Sequence, residues 1–131
     1  MSVKMKIFTL EEAERLLPIL ESLLKDFQMK YQKMEESSVQ WELHHRRDTD
    51  HPPANRTRKG REELTRLEQE VTDIIKLMNQ VGCVVRDPHE GLIDFPSVRD
   101  KEPVYLCWKL GEDRIKFYHG VDQGFQGRKP L

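Results

Sequence analysis

The chain has 131 residues, of which 37% are hydrophobic and 34% are charged, and its 22 basic and 23 acidic side chains nearly cancel. These values predict one soluble domain and exclude a membrane span, because no stretch approaches the roughly 18 uninterrupted apolar residues that a span requires. A net charge of -1 gives no overall attraction to nucleic acid or to an anionic membrane. Residues 1–8 lack the apolar run of a signal peptide, so we expect a cytoplasmic protein with reduced cysteines.

The first predicted element is a long amphipathic helix over residues 9–47. Thr9 and Glu12 have the spacing of a capping box, in which each side chain accepts a hydrogen bond from the other residue's backbone N–H. Apolar residues then recur three and four positions apart, as expected for one face of a helix. This stripe comprises Ala13, Leu16, Leu20, Leu23, Phe27, Met34 and Trp41, and it is widened by Leu17, Leu24 and Tyr31.

The apolar pattern stops at an exposed connection, residues 48–57, and resumes in a second helix over residues 58–82. Its apolar positions again follow 3-4 spacing: Leu64, Leu67, Val71, Ile74, Met78 and Val81. Two helices joined in this way predict an antiparallel, coiled-coil-like hairpin. Because both stripes are wide, the hairpin needs a further apolar layer, either from its own C-terminal region or from a second copy of the chain.

After the second helix the apolar period becomes that of extended chain, and residues 83–119 predict a small antiparallel sheet. Two short strands, residues 83–86 and 92–95, flank a turn, and we expect Pro96 to stop the second strand because proline lacks a backbone N–H. We expect the glycine-rich residues 120–131 to lack regular structure. The predicted fold class is therefore α+β, with a long helical hairpin packed on a small antiparallel sheet in a single domain.

The clearest strand pair in this region is a β-hairpin of residues 104–109 with 115–118. A two-residue turn at Gly111 and Glu112 would set Val104 opposite His119 and Lys116 opposite Cys107. It would also set Trp108 opposite Ile115, Leu106 opposite Phe117 and Tyr105 opposite Tyr118. Apolar neighbours raise a thiol pKa, so we expect Cys107 and Cys83 to be buried and unreactive.

Polar residues of the C-terminal third form the best candidate site: Asp94, His119, Asp122 and Arg128, the last in a loop whose glycines allow close backbone approach to a ligand. An imidazole flanked by carboxylates, with a guanidinium nearby, suits acid–base chemistry, an anionic ligand, or one divalent metal held by His119, Asp122 and Asp94. All three interpretations require these residues to converge. The alternative is that each residue satisfies local hydrogen bonds in turns and at strand ends.

The helix connection offers two further candidates. The first is a set of divalent-metal ligand types, His44, His45, Asp48, Asp50 and His51. Their spacing fits no metal motif, and the neighbouring arginines repel a cation, so we favour a solvated loop. The second is nucleic-acid contact, because residues 46–61 contain six basic side chains and two acidic ones. Since no aromatic residues are interleaved with these bases, nucleic-acid binding is the third of our functional hypotheses.

Several segments of the sequence resemble one known family. They are FTLEEA (8–13), LP (17–18), GLIDFP (91–96), VYLCWKLGE (104–112) and GFQGR (124–128). In their order and spacing they resemble the small bacterial family catalogued as domain of unknown function 2203, over essentially the whole chain. The resemblance implies a cytoplasmic bacterial protein and supplies no reaction, ligand or functional residue.

The sequence therefore leaves open whether the protein is an enzyme, although the absence of a complete catalytic motif favours a non-enzymatic role. Our leading hypothesis is an interaction or scaffolding protein that forms a homodimer through its helical hairpin or binds another protein. The alternative is a small-ligand-binding, metal-binding or hydrolytic domain with its site in the C-terminal β region. No cofactor is identified beyond that divalent metal, and we expect no membrane contact.

Overall fold

The computed structural model describes residues 6–46 and 58–131, with the backbone alone for residues 38–46. Within these ranges two helices, α1 (Leu10–Arg46) and α2 (Arg58–Gln80), precede the strands of one sheet. The strands are β1 (Val84–Asp87), β2 (Leu92–Arg99), β3 (Glu102–Lys109), β4 (Phe117–Gly120) and β5 (Lys129–Pro130). They lie in the order β1-β2-β3-β4-β5, and every neighbouring pair is antiparallel. The predicted α+β class is confirmed.

Helix α1 begins with the predicted capping box. The Thr9 backbone N–H donates to Glu12 Oε1 and the Glu12 N–H donates to Thr9 Oγ1, both at 3.1 Å. The two helices contact each other, and Lys30 of α1 pairs with Glu70 of α2 at 3.2 Å. The connection 48–57 lies outside the described residues, and with it the candidate ligands Asp48, Asp50 and His51. The other two, His44 and His45, lie in the backbone-only end of α1, and the basic residues Arg58, Lys59 and Arg61 begin α2. Neither described helix has the length and apolarity needed to cross a membrane.

The sheet supplies the apolar layer that the helices require. One core joins both helices to β2 and β3, and its fully buried members include Ala13, Leu20, Leu24, Met78, Ile93, Phe95 and Trp108. The helical stripe is therefore covered in large part by the chain's own C-terminal region. Dimerisation through that stripe stays a prediction.

Strand β2 continues through Pro96 to Arg99, so the expectation that Pro96 ends the strand is wrong. The β1 partner reaches only to Asp94, and the missing N–H of Pro96 therefore faces no neighbouring strand on that side. The N-terminal segment covers this edge instead: the Phe8 N–H donates to the Pro96 carbonyl at 2.7 Å. Strand β2 then turns into β3 through two residues, Asp100 and Lys101, whose φ angles of 52° and 65° are those of a type I′ turn.

The β3–β4 register differs by one residue from the predicted hairpin. Tyr105 lies opposite His119 and Cys107 lies opposite Phe117, where we expected Val104 and Lys116 respectively. The connection is a loop over residues 110–116 rather than a two-residue turn. Its Glu112 carbonyl accepts from Trp108 Nε1 at 2.9 Å, which holds the longer loop. A one-residue slip exchanges the faces of a strand, so His119 moves to the side of Cys107.

The C-terminal segment has more regular structure than we expected. Gly120 closes β4, a single 3-10 turn spans Phe125–Gly127, and Lys129–Pro130 pairs with β4. The expectation of an irregular tail over residues 120–131 is therefore wrong. Pairing along the edge of β4 supplies the backbone hydrogen bonds that outweigh the low strand propensity of glycine and proline.

Candidate functional site

Three chemically active side chains meet on the sheet face that points away from the helices, which we call the outer face. Asp94 of β2 lies opposite Cys107 of β3, and His119 of β4 lies opposite Tyr105. The residues that alternate with them along these strands belong to the helix-covered core. Alternation along paired strands therefore brings Asp94, Cys107 and His119 together.

These three residues, which we call the outer-face cluster, are fully buried although no helix covers them. Their exposed fractions are 2% for Asp94, 0% for Cys107 and 1% for His119. One potential ligand atom of each, a carboxylate oxygen, a thiol sulfur and an imidazole nitrogen, lies within 4.8 Å of the other two. Such a set of buried oxygen, sulfur and nitrogen donors is the kind that proteins use to bind metals of intermediate softness.

The hydrogen bonds of His119 orient one ring nitrogen toward the cluster. Nδ1 lies 2.9 Å from the Gly120 carbonyl oxygen, which can only accept, so the tautomer with its proton on Nδ1 satisfies this contact. A neutral imidazole then presents the lone pair of Nε2 to Asp94 Oδ2, 3.0 Å away. Because both of these atoms are then acceptors, the contact is favourable only with a cation between or beside them, either a second imidazole proton or a metal ion.

Asp94 presents one oxygen that has no protein partner. Its Oδ2 accepts from Arg86 Nε at 2.9 Å as well as facing His119. Its Oδ1 is buried and makes no hydrogen bond. A buried carboxylate oxygen without a partner costs about 1–3 kcal/mol or more, and in native proteins such an atom calls for an explanation, such as an ordered water, a bound ion or a functional role.

Cys107 is held as a neutral thiol by its surroundings. Burial, followed by the nearby Asp94 carboxylate, raises the pKa of the Cys107 thiol to about 11. The Arg128 guanidinium, with Nη1 3.9 Å from the sulfur, acts in the opposite direction. A metal ion would displace the thiol proton, because metals bind the thiolate.

Arg128 closes one side of the outer-face cluster and is itself held firmly. Its terminal nitrogens bind both oxygens of Glu112, at 2.6 and 3.2 Å. Its guanidinium stacks on Phe117 and Phe125, with its central carbon 4.0 and 4.3 Å from the ring centroids. Glu112 also accepts from the Lys109 backbone N–H at 2.7 Å. Both charges of this pair are therefore already neutralised within the protein.

The structure brings together part of the predicted site. Asp94 and His119 are in contact, and Arg128 reaches the cluster through Cys107. Asp122 is exposed, and within the described ranges no hydrogen bond or ion pair joins it to the cluster, so its place in the predicted metal set is not supported.

Sequence reasoning missed two members of this site, Cys107 and Arg86. No local signal marks Cys107, because its pairing depends on the turn at Asp100 and Lys101, which lacks the glycine typical of two-residue hairpin turns. Counting outward from that two-residue turn pairs Asp94 with Cys107. Arg86 lies two residues after Val84, which pairs with Asp94, so alternation along β1 places it on the same face as Asp94.

Comparison with known proteins identifies one family. The family model described as "Uncharacterized conserved protein (DUF2203)" matches residues 6–131. Neither the curated proteins nor the solved structures include a match to this chain.

Proposed function

The chain belongs to the DUF2203 family, whose description names no activity, and we propose from the outer-face cluster that it is a metal-binding protein. The ligands are Asp94 Oδ1, Cys107 Sγ and His119 Nε2. The observation that carries this proposal is the convergence of three buried ligand atoms within 4.8 Å, and the same Asp94 carboxylate has an oxygen, Oδ1, without a hydrogen bond. The mixed oxygen, nitrogen and sulfur set suits Zn²⁺ or Co²⁺, whereas Ca²⁺ and Mg²⁺ prefer oxygen alone.

The groups around the cluster match those that support metal ligands in proteins. A ligating histidine usually donates its other ring N–H to a carbonyl or carboxylate, as His119 Nδ1 does to Gly120. A ligating carboxylate is usually hydrogen-bonded through its second oxygen, as Asp94 is to Arg86. Arg128 beside Cys107 favours the thiolate that a metal requires. The ligands and their supports would thus be positioned by the sheet before the ion arrives.

Metal binding would have two consequences for this fold. The ion would link β2, β3 and β4 across the face that lacks a helical layer, and it would stabilise the folded chain by mass action. Three protein ligands also leave a fourth position for water or another small ligand, which is the pattern of metal sites that do chemistry. The cytoplasm, where thiols remain reduced, is the location that we propose.

Cobalt titration tests this proposal, because a thiolate bound to Co²⁺ adds a charge-transfer absorption band that nitrogen and oxygen ligands do not produce. We expect the full chain to bind one equivalent of Co²⁺ with this band, and Zn²⁺ to displace it. Cys107→Ser should lose the band, and His119→Gln should weaken binding by at least about tenfold. Circular dichroism of each variant checks that the fold is retained.

Cys83→Ser is the matched control, since Cys83 is also a buried thiol but donates to the Met78 carbonyl at 3.3 Å, away from the cluster. It should bind Co²⁺ as the unaltered chain does. An unchanged band in Cys107→Ser, or no uptake of either metal by the folded chain, would contradict the proposal.

Self-association is a second candidate function, and it is supported by apolar side chains that stay exposed on the helices. Ile19, Met29 and Leu77 are 57%, 51% and 50% exposed even after the sheet has packed on the helical pair. These surfaces suit a second copy of the chain or another protein. Light scattering at micromolar concentration tests this candidate: we expect a dimer, and a monodisperse monomer would contradict it.

A further inference from the structure

We propose that the metal-loaded site takes a small oxyanion, a carboxylate or a phosphate, at its fourth position, and that Arg86 recognises this anion. This inference rests on the proposed metal site and adds to it the chemical class of the ligand. It follows from the exposure of the side chains that cover the cluster, from the charge of the loaded site, and from the hydrogen bonds that Arg86 has already made.

Among the charged side chains around the cluster, Arg86 is the most exposed. The side chains of Asp94 and His119 are 3% and 1% exposed, and Arg128 and Glu112 on the opposite side are 15% and 20% exposed. The Arg86 side chain is 44% exposed while its Nε remains 2.9 Å from Asp94 Oδ2. A ligand that reaches the ion from solvent would therefore have to displace Arg86, the least buried of these covering side chains.

The charge of the loaded site favours an anion over a neutral or cationic ligand. A divalent ion is neutralised by the Asp94 carboxylate and the Cys107 thiolate, and His119 then binds as a neutral imidazole. Arg128 and Glu112 neutralise each other. The remaining charge is the single positive charge of Arg86, next to a metal position that lacks a protein ligand. An anion would balance that charge and complete the coordination of the ion.

Arg86 is oriented to receive an oxyanion. Its Nε–H is fixed by Asp94, and its guanidinium carbon lies 4.9 Å from the centroid of the Tyr105 ring. Asp94 is the only carboxylate of the described residues that pairs with it, and this pairing uses Nε alone. The N–H groups on its two terminal nitrogens match the oxygens of a carboxylate or phosphate. Arg128, by contrast, already binds a carboxylate with both terminal nitrogens.

Anion titration of the Co²⁺-loaded full chain tests this inference, since the visible absorption of Co²⁺ changes when a ligand enters its coordination sphere. Inorganic phosphate and acetate are the two probes, added at constant ionic strength. We expect a saturable spectral change in the unaltered chain. Arg86→Gln should need at least about tenfold more of either anion, because a charge-assisted bidentate contact is lost.

Arg99→Gln is the matched control, because Arg99 also lies over a tyrosine ring, with its guanidinium carbon 4.5 Å from the Tyr118 centroid, but does not contact the cluster. It should titrate like the unaltered chain. If Arg86→Gln takes up too little Co²⁺, the Arg86→Lys variant is used in its place. Lysine keeps the positive charge but lacks the planar pair of N–H donors, so the affinity for either anion should fall at least about threefold.

The outcomes separate the two proposals. A Co²⁺ spectrum that neither anion changes, or equal anion affinity in the unaltered chain and both Arg86 variants, would overturn the anion inference and leave the metal site standing. A folded chain that takes up no Co²⁺ would overturn both proposals. A response to phosphate but not to acetate would retain the inference and restrict the ligand to phosphate.

Discussion

Both faces of the sheet contain buried residues, but different groups cover them. The helix-covered face is apolar, and residues such as Phe95 and Trp108 pack against α1 and α2 in one core. The outer face has no such layer, and its buried residues include, besides Pro96, a carboxylate, a thiol and an imidazole. Its cover consists of single side chains, chiefly Arg86, Arg128 and Phe117. One face thus has the composition of a folding core and the other that of a ligand site.

The helix-covered face stabilises the folded chain, whereas the outer face destabilises it in part. Apolar burial stabilises the folded state at about 25 cal/mol per Å². Burial of polar groups destabilises it unless each group has a partner, and Asp94 Oδ1 has none. A site that lowers stability in this way is typical of functional regions. Substitutions on the helix-covered face should therefore change folding alone, whereas those on the outer face should change the response to metal.

The largest expected effect is on the helix-covered face. Phe95→Ala removes a fully buried ring that packs edge-on against Phe8, with 5.4 Å between the ring centroids. We expect the free energy of unfolding to fall by about 3–5 kcal/mol, with or without Zn²⁺. Urea denaturation measures this change. Val98→Ala is the control on the same strand, because Val98 is 55% exposed. If its free energy of unfolding changed by more than about 0.5 kcal/mol, the contrast between the helix-covered face and the outer face would be contradicted.

The next effect is specific to the outer face. Free Zn²⁺ at about 100 times its dissociation constant should raise the free energy of unfolding by about 2.7 kcal/mol, because the metal binds only the folded chain. Thermal or urea unfolding shows this gain. It should be absent in Cys107→Ser and intact in Cys83→Ser. Equal stabilisation of both variants would mean that Zn²⁺ binds elsewhere.

Alkaline pH should separate the two buried thiols, because burial raises the pKa of Cys83 as well as Cys107 to about 11. A thiol pKa that is higher in the folded than in the unfolded chain stabilises the protein below the unfolded value, near 8.5. That stabilisation, on the order of 2 kcal/mol for each thiol, is lost as pH rises toward 11. Bound Zn²⁺ would hold Cys107 as thiolate throughout this alkaline range, so only the Cys83 contribution should then be lost.

Urea denaturation between pH 8 and 10.5, with and without Zn²⁺, measures this difference. Metal-free Cys83→Ser and Cys107→Ser should each show about half of the alkaline loss of the unaltered chain. A pH dependence that Zn²⁺ leaves unchanged would contradict a metal-bound thiolate at Cys107.

The helix-covered face was largely predictable from the sequence, and the outer face was not. The capping box at Thr9 and Glu12 and the 3-4 apolar stripes depend on residues within a few positions of one another. The outer-face cluster depends on two registers at once. One is set by a turn at Asp100 and Lys101, neither of which is a glycine, and the other by a loop that Glu112 holds open.

A local pattern can therefore identify Asp94 and His119 as candidates, but it cannot bring Cys107 between them. The one-residue error in the β3–β4 hairpin placed His119 on the wrong face of the sheet and Lys116 opposite the thiol. Correct pairing in both the β2–β3 and the β3–β4 hairpins was needed to bring the three residues together. Local propensity does not determine the register of such pairs.

X-ray absorption of the Zn²⁺-loaded protein tests the central claim most directly, since it reports which atoms surround the ion. A site made by Asp94, Cys107 and His119 predicts a single sulfur at about 2.3 Å and nitrogen or oxygen ligands at about 2.0–2.2 Å. A shell of nitrogen and oxygen alone, or one with two sulfurs, would contradict this site.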